Sequence, residues 1–486
     1  MPFRWDPREH LALGKYVVKW LLIAGPVGAV IGAAVALFLW ALELATHARW
    51  DHPWLLWLLP AGGVAVGLLY HLFGKSVEGG NNLIMEQIHE PGGGVPARMA
   101  PLVLIGTILT HLFGGSAGRE GTAVQMGGSM ASTLCRWLKL NEDDTRELLM
   151  AGIAAGFGAV FGTPLTGTVF ALEVLAIGLL SHRAILPCLI ASIVGDQVAT
   201  ALLATRGMGH TAYAIKSFAT MGLVHATPHL SWVLTGKVAI AAVAFGLASV
   251  IFAELTHSLS RVFRAAVPWP AWRPALGGLL VIGLAILIGR DYLGLGVTAD
   301  PHHPEQVSIV SSFHLHGATM WSWWWKILFT AVTLGSGFKG GEVTPLFFVG
   351  AALGNAMARV LGVPEHVDLF AGLGFVAVFA GATNTPLACT IMGIELFGAG
   401  SDNLLGSGFV VYVAVACFLA YLFSGHSGIY LSQRISAPKF GDALAREATS
   451  LRAVRESRPS LFGRLFSKPV SKSPGPDSGV SAGSSD

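Results

Sequence analysis

Long apolar runs separated by short polar loops fill almost the whole chain. Runs long enough to cross or enter a bilayer occupy residues 17–44, 54–73, 99–113, 122–138, 148–179, 183–204, 234–257, 275–289, 321–334, 344–361, 368–399 and 406–424. Several are shorter than the ~20 residues that a full membrane-spanning helix needs. The pattern predicts an all-α polytopic membrane protein.

Glycine and proline interrupt many of these runs, as at Gly162-Thr163-Pro164 and Asn384-Thr385-Pro386. Non-helical backbone at membrane depth survives only where protein or a water-filled cavity covers it. The 61 glycines also fit close helix packing and re-entrant half-helices. We therefore expect a bundle of full and broken helices rather than a set of simple spans.

Composition and charge exclude several other classes of protein. Only 12% of the 486 residues are charged, whereas a soluble domain carries about 25%. The net charge of +3 is too small to indicate nucleic-acid binding. The four cysteines stand singly in apolar runs, so they predict neither a disulfide framework nor a metal site.

The two ends of the chain are polar. Residues 1–15 are expected to form a cytoplasmic segment, because Arg8 and Lys15 precede the first apolar run. That run, residues 16–44, is too long for the hydrophobic part of a signal peptide and is expected to remain as a spanning helix. Residues 437–486 mix Arg, Ser, Pro and Gly and are expected to form a largely disordered cytoplasmic tail.

Two landmarks recur 222 positions later in the chain. The segment Gly118-Arg119-Glu120-Gly121-Thr122 reappears in outline as Gly340-Gly341-Glu342-Val343-Thr344. Thr163-Pro164-Leu165 followed by Glu173 reappears as Thr385-Pro386-Leu387 followed by Glu395. Internal repeats of this kind are typical of transporters whose substrate site lies at the repeat interface.

The membrane domain, residues 16–436, therefore divides into a first repeat of about 16–205 and a second of about 234–436. Basic residues surround the loop near residue 139, whereas only Arg359 lies near the corresponding loop at residues 361–366. The positive-inside rule places the first loop in the cytoplasm and allows the second outside. We therefore expect two inverted-topology repeats.

An acid and a base, Glu120 and Arg119, interrupt the apolar stretch 99–138. Ionisable groups at membrane depth are costly and usually mark an ion or proton path. Thr122 is expected to begin a new helix, whose N-terminal N–H groups would bind an anion. Because adjacent residues point off different faces of a helix, we expect Arg119 not to pair with Glu120. Glu120 is thus predicted to lie at the edge of an anion site.

Four stretches are predicted to meet at this site: Gly79-Gly80-Asn81-Asn82, Gly118 to Gly121, Gly340 to Pro345, and Tyr430. The first three place glycines before an apolar helical run, so three helix N-termini could replace an anion's hydration. Tyr430 would add a phenolic donor. Taken alone, the first stretch also fits a surface turn and Tyr430 an interfacial anchor.

Other candidate chemistry is less specific. Glu173 and Glu395 fit structural pairing, or contact with water, at helix ends. The histidines of residues 290–320 match no common ligand set, and solvated loop positions are favoured over a metal site. An intramembrane enzyme would use Ser116 as nucleophile, with His111 as the only nearby base. We predict no cofactor and no metal.

The motifs, in this order, resemble those of the CLC family of chloride channels and anion/proton exchangers, over about residues 21–436. The second family signature, Gly-(Lys/Arg)-Glu-Gly-Pro, appears at 118–122 with Thr122 in place of proline. The third, Gly-x-Phe-x-Pro, appears at 341–345 with Val343 in place of phenylalanine. The resemblance implies that Glu120 is the gating glutamate and Tyr430 the inner tyrosine.

Two departures indicate a subgroup. Gly79-Gly80-Asn81-Asn82-Leu83 replaces Gly-Ser-Gly-Ile-Pro and so lacks the serine hydroxyl that coordinates chloride. Val174 stands where chloride exchangers have their inner proton glutamate. The chain resembles the fluoride-exporting CLC subgroup, which implies F⁻/H⁺ exchange, a bacterial inner membrane, cytoplasmic termini, and a homodimer with one pore per subunit.

On this resemblance Glu120 alternately occupies the anion's place and carries a proton. The expected anion-binding residues are Gly80, Asn81, Asn82, Gly118, Arg119, Gly121, Glu342, Val343, Thr344 and Tyr430. Glu342 is a puzzle, because its charge should repel an anion unless it is protonated, binds backbone amides or faces away. The alternative function is a chloride-selective exchanger or a chloride channel.

Overall fold

The computed structural model describes residues 7–211, 213, 215, 230–398, 408–441 and 449–457. The predictions for residues 1–6 and for disorder in residues 458–486 lie outside these ranges. The helices of the first half are α1 (Pro7–Asp51), α2 (Leu59–Phe73), α3 (Asn81–His89), α4 (Met99–Leu112), α5 (Glu120–Leu138), α6 (Glu142–Phe161), α7 (Pro164–Glu173) and α8 (Ile185–Ala204).

The helices of the second half are α9 (Trp232–Ala266), α10 (Trp272–Ile288), α11 (Ser322–Ser336), α12 (Val343–Val360), α13 (Val367–Thr383), α14 (Pro386–Gly398) and α15 (Phe409–Phe423), and α16 (Leu451–Ser457) follows them. Short 3₁₀ helices cover Pro53–Leu58, Lys75–Val77, His182–Ala184, Ser311–Phe313 and Pro364–His366. Two short strands, β1 (Ala176–Ile177) and β2 (Arg434–Ile435), pair in parallel.

Within the described residues, six helical segments are long and apolar enough to cross a membrane. The two longest apolar runs, 148–179 and 368–399, each divide into two helices at the predicted Gly-Thr-Pro or Asn-Thr-Pro break. Gly162 caps the end of α6 and Asn384 the end of α13, both in the left-handed conformation, and a proline begins the next helix. The prediction of broken helices is confirmed.

Both predicted ends differ from the structure in part. α1 begins at Pro7, so the expected polar segment 1–15 is helical from that residue, with residues 8–15 exposed. The tail is ordered at 449–457, where Leu451 and Val454 are buried. This ordered part ends at Ser457, and the rest of the tail, for which disorder is expected, lies outside the described residues.

Two carboxylates, one from each half, bind the start of a helix in the other half. Glu173, at the end of α7, accepts hydrogen bonds from two amides at the start of α14 (3.1 and 2.8 Å). Glu395, on α14, accepts from two amides at the start of α7 (3.0 and 2.8 Å). A reciprocal exchange of this kind is what a two-fold axis between the halves requires, so both glutamates are structural caps of the other half's broken helix.

The halves run in opposite directions through the molecule. We call the face at which α1 begins the N-terminal face. Lys19 near the start of α1 pairs with Asp144 (2.6 Å), so α6 begins at this face and the preceding α5 runs towards it. Segment 290–320 lies at the opposite face, because His302 approaches Asp51 at the end of α1 (3.4 Å).

α12, the counterpart of α5, runs towards that opposite face. Asn355 and Arg359, near its end, donate to backbone carbonyls of segment 290–320 (2.8 and 3.0 Å). The expected inverted topology therefore follows from these contacts, with α5 and α12 diverging from the middle of the protein.

Equivalent glycines fix the two helix pairs that carry the site. A Cβ added at Gly152 would lie 2.6 Å from the Gly127 carbonyl oxygen, and one added at Gly374 would lie 2.1 Å from that of Gly350. α5 therefore packs backbone to backbone on α6, and α12 does the same on α13. This close packing sets where α5 and α12 begin.

Candidate functional site

The starts of α5 and α12 face each other in the interior. Gly118 and Gly341, which precede the two helices, exchange two backbone hydrogen bonds (2.6 and 2.8 Å) in an isolated antiparallel bridge. A Cβ at Gly341 would lie 2.7 Å from the Gly121 amide nitrogen, so the two motifs approach as closely as backbones can. The bridge brings two helix N-termini, both positive ends of helix dipoles, to one point.

Glu120 lies at this point. Its side chain is 1% exposed, and its Oε2 accepts hydrogen bonds from the Thr344 amide (3.0 Å) and from the Thr344 hydroxyl. Arg119 Nε donates to Oε1 at 3.3 Å. The carboxylate of α5 thus occupies the N-terminus of α12, where free N–H groups and the helix dipole favour a negative charge.

Two expectations about this segment were wrong. α5 begins at Glu120 rather than at Thr122, and Arg119 is its N-cap residue, outside the helix. The rule that neighbours point off different helix faces does not apply to a residue that precedes the helix. Arg119 instead turns back onto Glu120, and its backbone N–H donates to the Thr344 hydroxyl (3.3 Å).

α3 supplies the third helix start. Gly80 is its N-cap, in a conformation (φ 54°, ψ −130°) that favours glycine. A Cβ at Gly121 would lie 3.4 Å from Asn81 Nδ2 and 3.7 Å from Glu342 Oε2, so both side chains lie beside the α5 start. Gly79 is exposed and belongs to a turn, whereas Gly80 and Asn81 are partly buried and line a cavity. The stretch is therefore both a turn and the third helix start beside the α5 start.

The two asparagines have different surroundings. The side-chain oxygen of Asn81, Oδ1, is buried with no hydrogen-bond partner among the described residues. Asn82 Oδ1 accepts from the Ser432 amide at 2.9 Å. Asn81 thus faces the centre, whereas Asn82 ties α3 to the segment that follows Tyr430.

A cavity of about 290 Å³ leads from the N-terminal face to these residues. Asn81, Glu342 and Tyr430 line its inner end, and exposed Glu78 and Arg264 lie at its mouth. Tyr430 is 4% exposed and interacts electrostatically with Glu120 and Glu342. Glu342 was expected to be protonated, to bind backbone amides or to face away from the anion site. It does not face away, because it lines the cavity beside the α5 start.

Residues that join the two halves cover the other side of the Arg119–Glu120 pair. Tyr213 packs against Phe375 (5.1 Å between ring centroids) and interacts electrostatically with Arg119 and Glu120. His210 lies against Gly162, whose added Cβ would be 2.8 Å from its ring. The sequence analysis missed both, because they lie in a loop with no hydrophobic periodicity.

Lys339 was also missed, although it lines the same cavity. Its Nζ lies 3.9 Å from the centre of the Tyr70 ring. The signal was present in the sequence, because a charged residue inside an apolar region is as unusual as Glu120.

The alternative enzyme is not supported by the geometry. The two ring nitrogens of His111 lie at the backbone carbonyls of Thr107 (2.8 Å) and Ala117 (3.0 Å), and Ser116 Oγ bonds to Thr330 (2.9 Å). His111 is thus not placed to activate Ser116.

The other candidate positions are also accounted for. Val174 is buried, and its carbonyl accepts from Gln433 (2.9 Å). Across the part of the chain that the structure describes, no group of three metal-binding side chains occurs.

Comparison with known proteins assigns this architecture to a family. The sequence model of the voltage gated chloride channel family, CLC, matches residues 62–425. The chain belongs to the CLC family.

This CLC chain is 47% identical over 446 residues to the "Chloride/fluoride channel protein" of Pseudomonas syringae pv. tomato, covering 90% of this chain and 91% of the relative. It is 26% identical over 426 residues to the "Voltage-gated ClC-type chloride channel ClcB" of Escherichia coli, covering 84% and 90%.

Two solved structures share the fold of this CLC chain. The crystal structure of a CLC-type fluoride/proton antiporter matches with a TM-score of 0.75 and 33% identity, covering 89% of this chain and all of that one. A slow cyanobacterial Cl⁻/H⁺ antiporter matches with a TM-score of 0.67 and 21% identity, over 83% and 94%, and so supports the fold alone. This CLC chain is a multi-pass membrane ion-transport protein.

Proposed function

We propose that this CLC chain is a fluoride/proton antiporter of the bacterial inner membrane. It exports F⁻ from the cytoplasm in exchange for H⁺ and thereby confers fluoride resistance. In this proposal the N-terminal face is cytoplasmic, both termini lie on that side, and the protein is a homodimer with one pore per subunit. The name of the 47% identical relative and the 33% identical antiporter structure support the choice of ion.

The observation that carries the proposal is the position of Glu120. Its carboxylate takes the Thr344 amide and hydroxyl, which are donors that would also suit a small anion at a helix N-terminus. When Glu120 is ionised, it competes with the anion for these donors. When it is protonated, its attraction to the positive helix end falls, it leaves the position, and fluoride takes its place. One carboxylate that visits both states couples the two ions.

The surrounding donors fit an anion that holds its water tightly. Asn81 offers a carboxamide, Thr344 a hydroxyl and Tyr430 a phenol, all at the inner end of one cavity or beside it. The starts of α3, α5 and α12, at Gly80, Gly118 to Gly121, and Val343, add backbone N–H groups. Asn82 acts by holding α3 in place.

A chloride-selective exchanger or channel is the alternative, and the chloride names of the relatives keep it open. Two features disfavour the exchanger. The stretch Gly79 to Leu83 has no serine hydroxyl to coordinate chloride, and Val174 stands where an inner proton glutamate is expected.

Ion efflux from proteoliposomes tests the assignment. Vesicles loaded with equal concentrations of fluoride or chloride should release fluoride much faster, and protein-free vesicles measure the passive escape of HF. An outward fluoride gradient should also drive protons inward against their own gradient. Equal rates for the two anions would overturn fluoride selectivity. Fluoride flux that moves no protons would overturn the antiporter and identify a channel instead.

A further inference from the structure

Among the described residues, four lysines lie over aromatic rings, and three of them have protein acceptors. Lys19 Nζ lies 5.3 Å from the Trp20 ring centre and pairs with Asp144 at 2.6 Å. Lys326 Nζ donates to the Tyr292 and Gly294 carbonyls (3.2 and 2.9 Å) and lies 5.1 Å from the Phe348 ring centre. Lys439 Nζ, 3.9 Å from the ring centre of its own aromatic neighbour, donates to a carbonyl at 2.6 Å and to a hydroxyl at 2.9 Å. Their charges are therefore held by the chain itself.

Lys339 differs from these three. Its Nζ lies over the Tyr70 ring at 3.9 Å, but no hydrogen bond or ion pair of this ammonium occurs within the described ranges. Glu78 and Glu342 attract it electrostatically. An ammonium carries three donors. Lys339 is only partly buried and lines the cavity, so its donors are available to water or to an anion there.

The position of Lys339 relative to the centre is fixed. It lies two residues before Gly341, whose backbone is bonded to Gly118, and the Tyr70 ring holds its ammonium from one side. Its charge therefore lies on the way from the cavity mouth to Asn81. It also offsets the repulsion that Glu342 exerts on an approaching anion.

We propose that Lys339 forms a second anion-binding site, a capture site in the cavity that binds fluoride from the cytoplasm before the ion reaches Asn81 and Thr344. This proposal depends on the proposed function for the direction and identity of the ion. A compact, strongly hydrated ammonium suits a compact, strongly hydrated anion. The site raises the local fluoride concentration on the cavity side only, so it sets the apparent affinity at that face.

Transport in sided vesicles tests the capture site. In everted vesicles, which expose the cavity side, Lys339→Met should raise the KM for fluoride roughly ten- to hundredfold, the range for loss of one hydrogen bond to a charged group. The maximal rate at saturating fluoride should change little. In right-side-out vesicles the KM should stay within about twofold of the unmodified protein, and Lys339→Arg should restore part of the affinity.

A matched variant controls for packing. Lys439→Met removes a lysine with the same ring distance but with protein acceptors. It should not change the fluoride KM in everted vesicles. If Lys339→Met does not yield a monodisperse protein, Lys339→Gln provides the same comparison.

Three results would overturn the capture site. These are an unchanged KM at the cavity side, an equal rise at both faces, or recovery of the original KM in the Glu342→Gln/Lys339→Met double variant. The last would mean that Lys339 only balances the charge of Glu342. Failure of the proposed function would appear separately, as an unmodified protein whose fluoride flux moves no protons.

Discussion

At the scale of single residues, the Glu120 carboxylate is held by neutral hydrogen-bond donors at a helix start as well as by a cation. Thr344 supplies an amide and a hydroxyl, and Arg119 approaches only one oxygen, at 3.3 Å. Such a carboxylate can exchange its partners for an anion without leaving a buried charge unpaired. The proposed exchange of Glu120 for an anion at one position requires this property.

Replacing Glu120 by Gln should abolish proton transport. A carboxamide keeps the shape of the side chain but cannot accept and release a proton in the relevant pH range. Proton uptake driven by an outward fluoride gradient, followed with a pH electrode, should fall to the level of protein-free vesicles. Glu305→Gln, which changes an exposed carboxylate, should behave as the unmodified protein. Uphill proton transport by the Glu120 variant would contradict its role.

Replacing Tyr430 by Phe should weaken fluoride binding modestly. The variant removes one phenolic donor at the inner end of the cavity and keeps the packing of a residue that is 4% exposed. A single hydrogen bond contributes about 0.5–1.5 kcal/mol, so the Kd should rise about two- to tenfold in isothermal titration of the purified protein. An unchanged Kd would make Tyr430 a structural anchor.

At the scale of helices, the position of the site depends on two crossed caps. Glu173 and Glu395 each bind two amides at the start of a broken helix in the other half. Charge-assisted hydrogen bonds at a helix N-terminus combine with the helix dipole. The caps therefore join the halves next to the interface where Glu120 and Thr344 meet.

Replacing Glu395 by Gln should destabilise the protein by about 1–3 kcal/mol, because two amides at the start of α7 lose a charged acceptor. Glu173→Gln should cost somewhat less, since Glu395 also accepts from the Thr166 hydroxyl at 2.6 Å. Thermal unfolding in detergent, compared with Glu305→Gln, measures both losses. Transport per folded molecule should persist, and its complete loss would assign these carboxylates to the ion path instead.

How far the sequence predicts this site depends on the kind of information each residue carries. The repeat and the two breaks could be predicted, because spacing and proline position are properties of the chain itself. The direction of Arg119 could not, since it depends on a helix start shifted by two residues. The choice between Asn81 and Asn82 depends on the rotation of α3, on which neighbours point about 100° apart, and that rotation is set by the distant Ser432.

At the scale of the whole molecule, inversion is the property that lets two equivalent helices meet start to start. If both halves crossed the membrane in the same direction, α5 and α12 would run parallel, and their positive ends would not face each other. The bridge between Gly118 and Gly341 and the exchange of Glu173 and Glu395 share one two-fold relation. The anion binding proposed between the starts of α5 and α12 thus depends on the topology of the entire chain.

Labelling of introduced cysteines should show this inversion directly. Glu142, at the start of α6, and Glu365, just before α13, are both exposed and occupy the two corresponding loops. A membrane-impermeant maleimide should label Glu365→Cys in intact cells and Glu142→Cys only in everted vesicles. The four native cysteines are buried, so the unmodified protein provides the background. Labelling of both variants from the same side would contradict the inverted repeats, and with them the meeting of α5 and α12 on which anion binding depends.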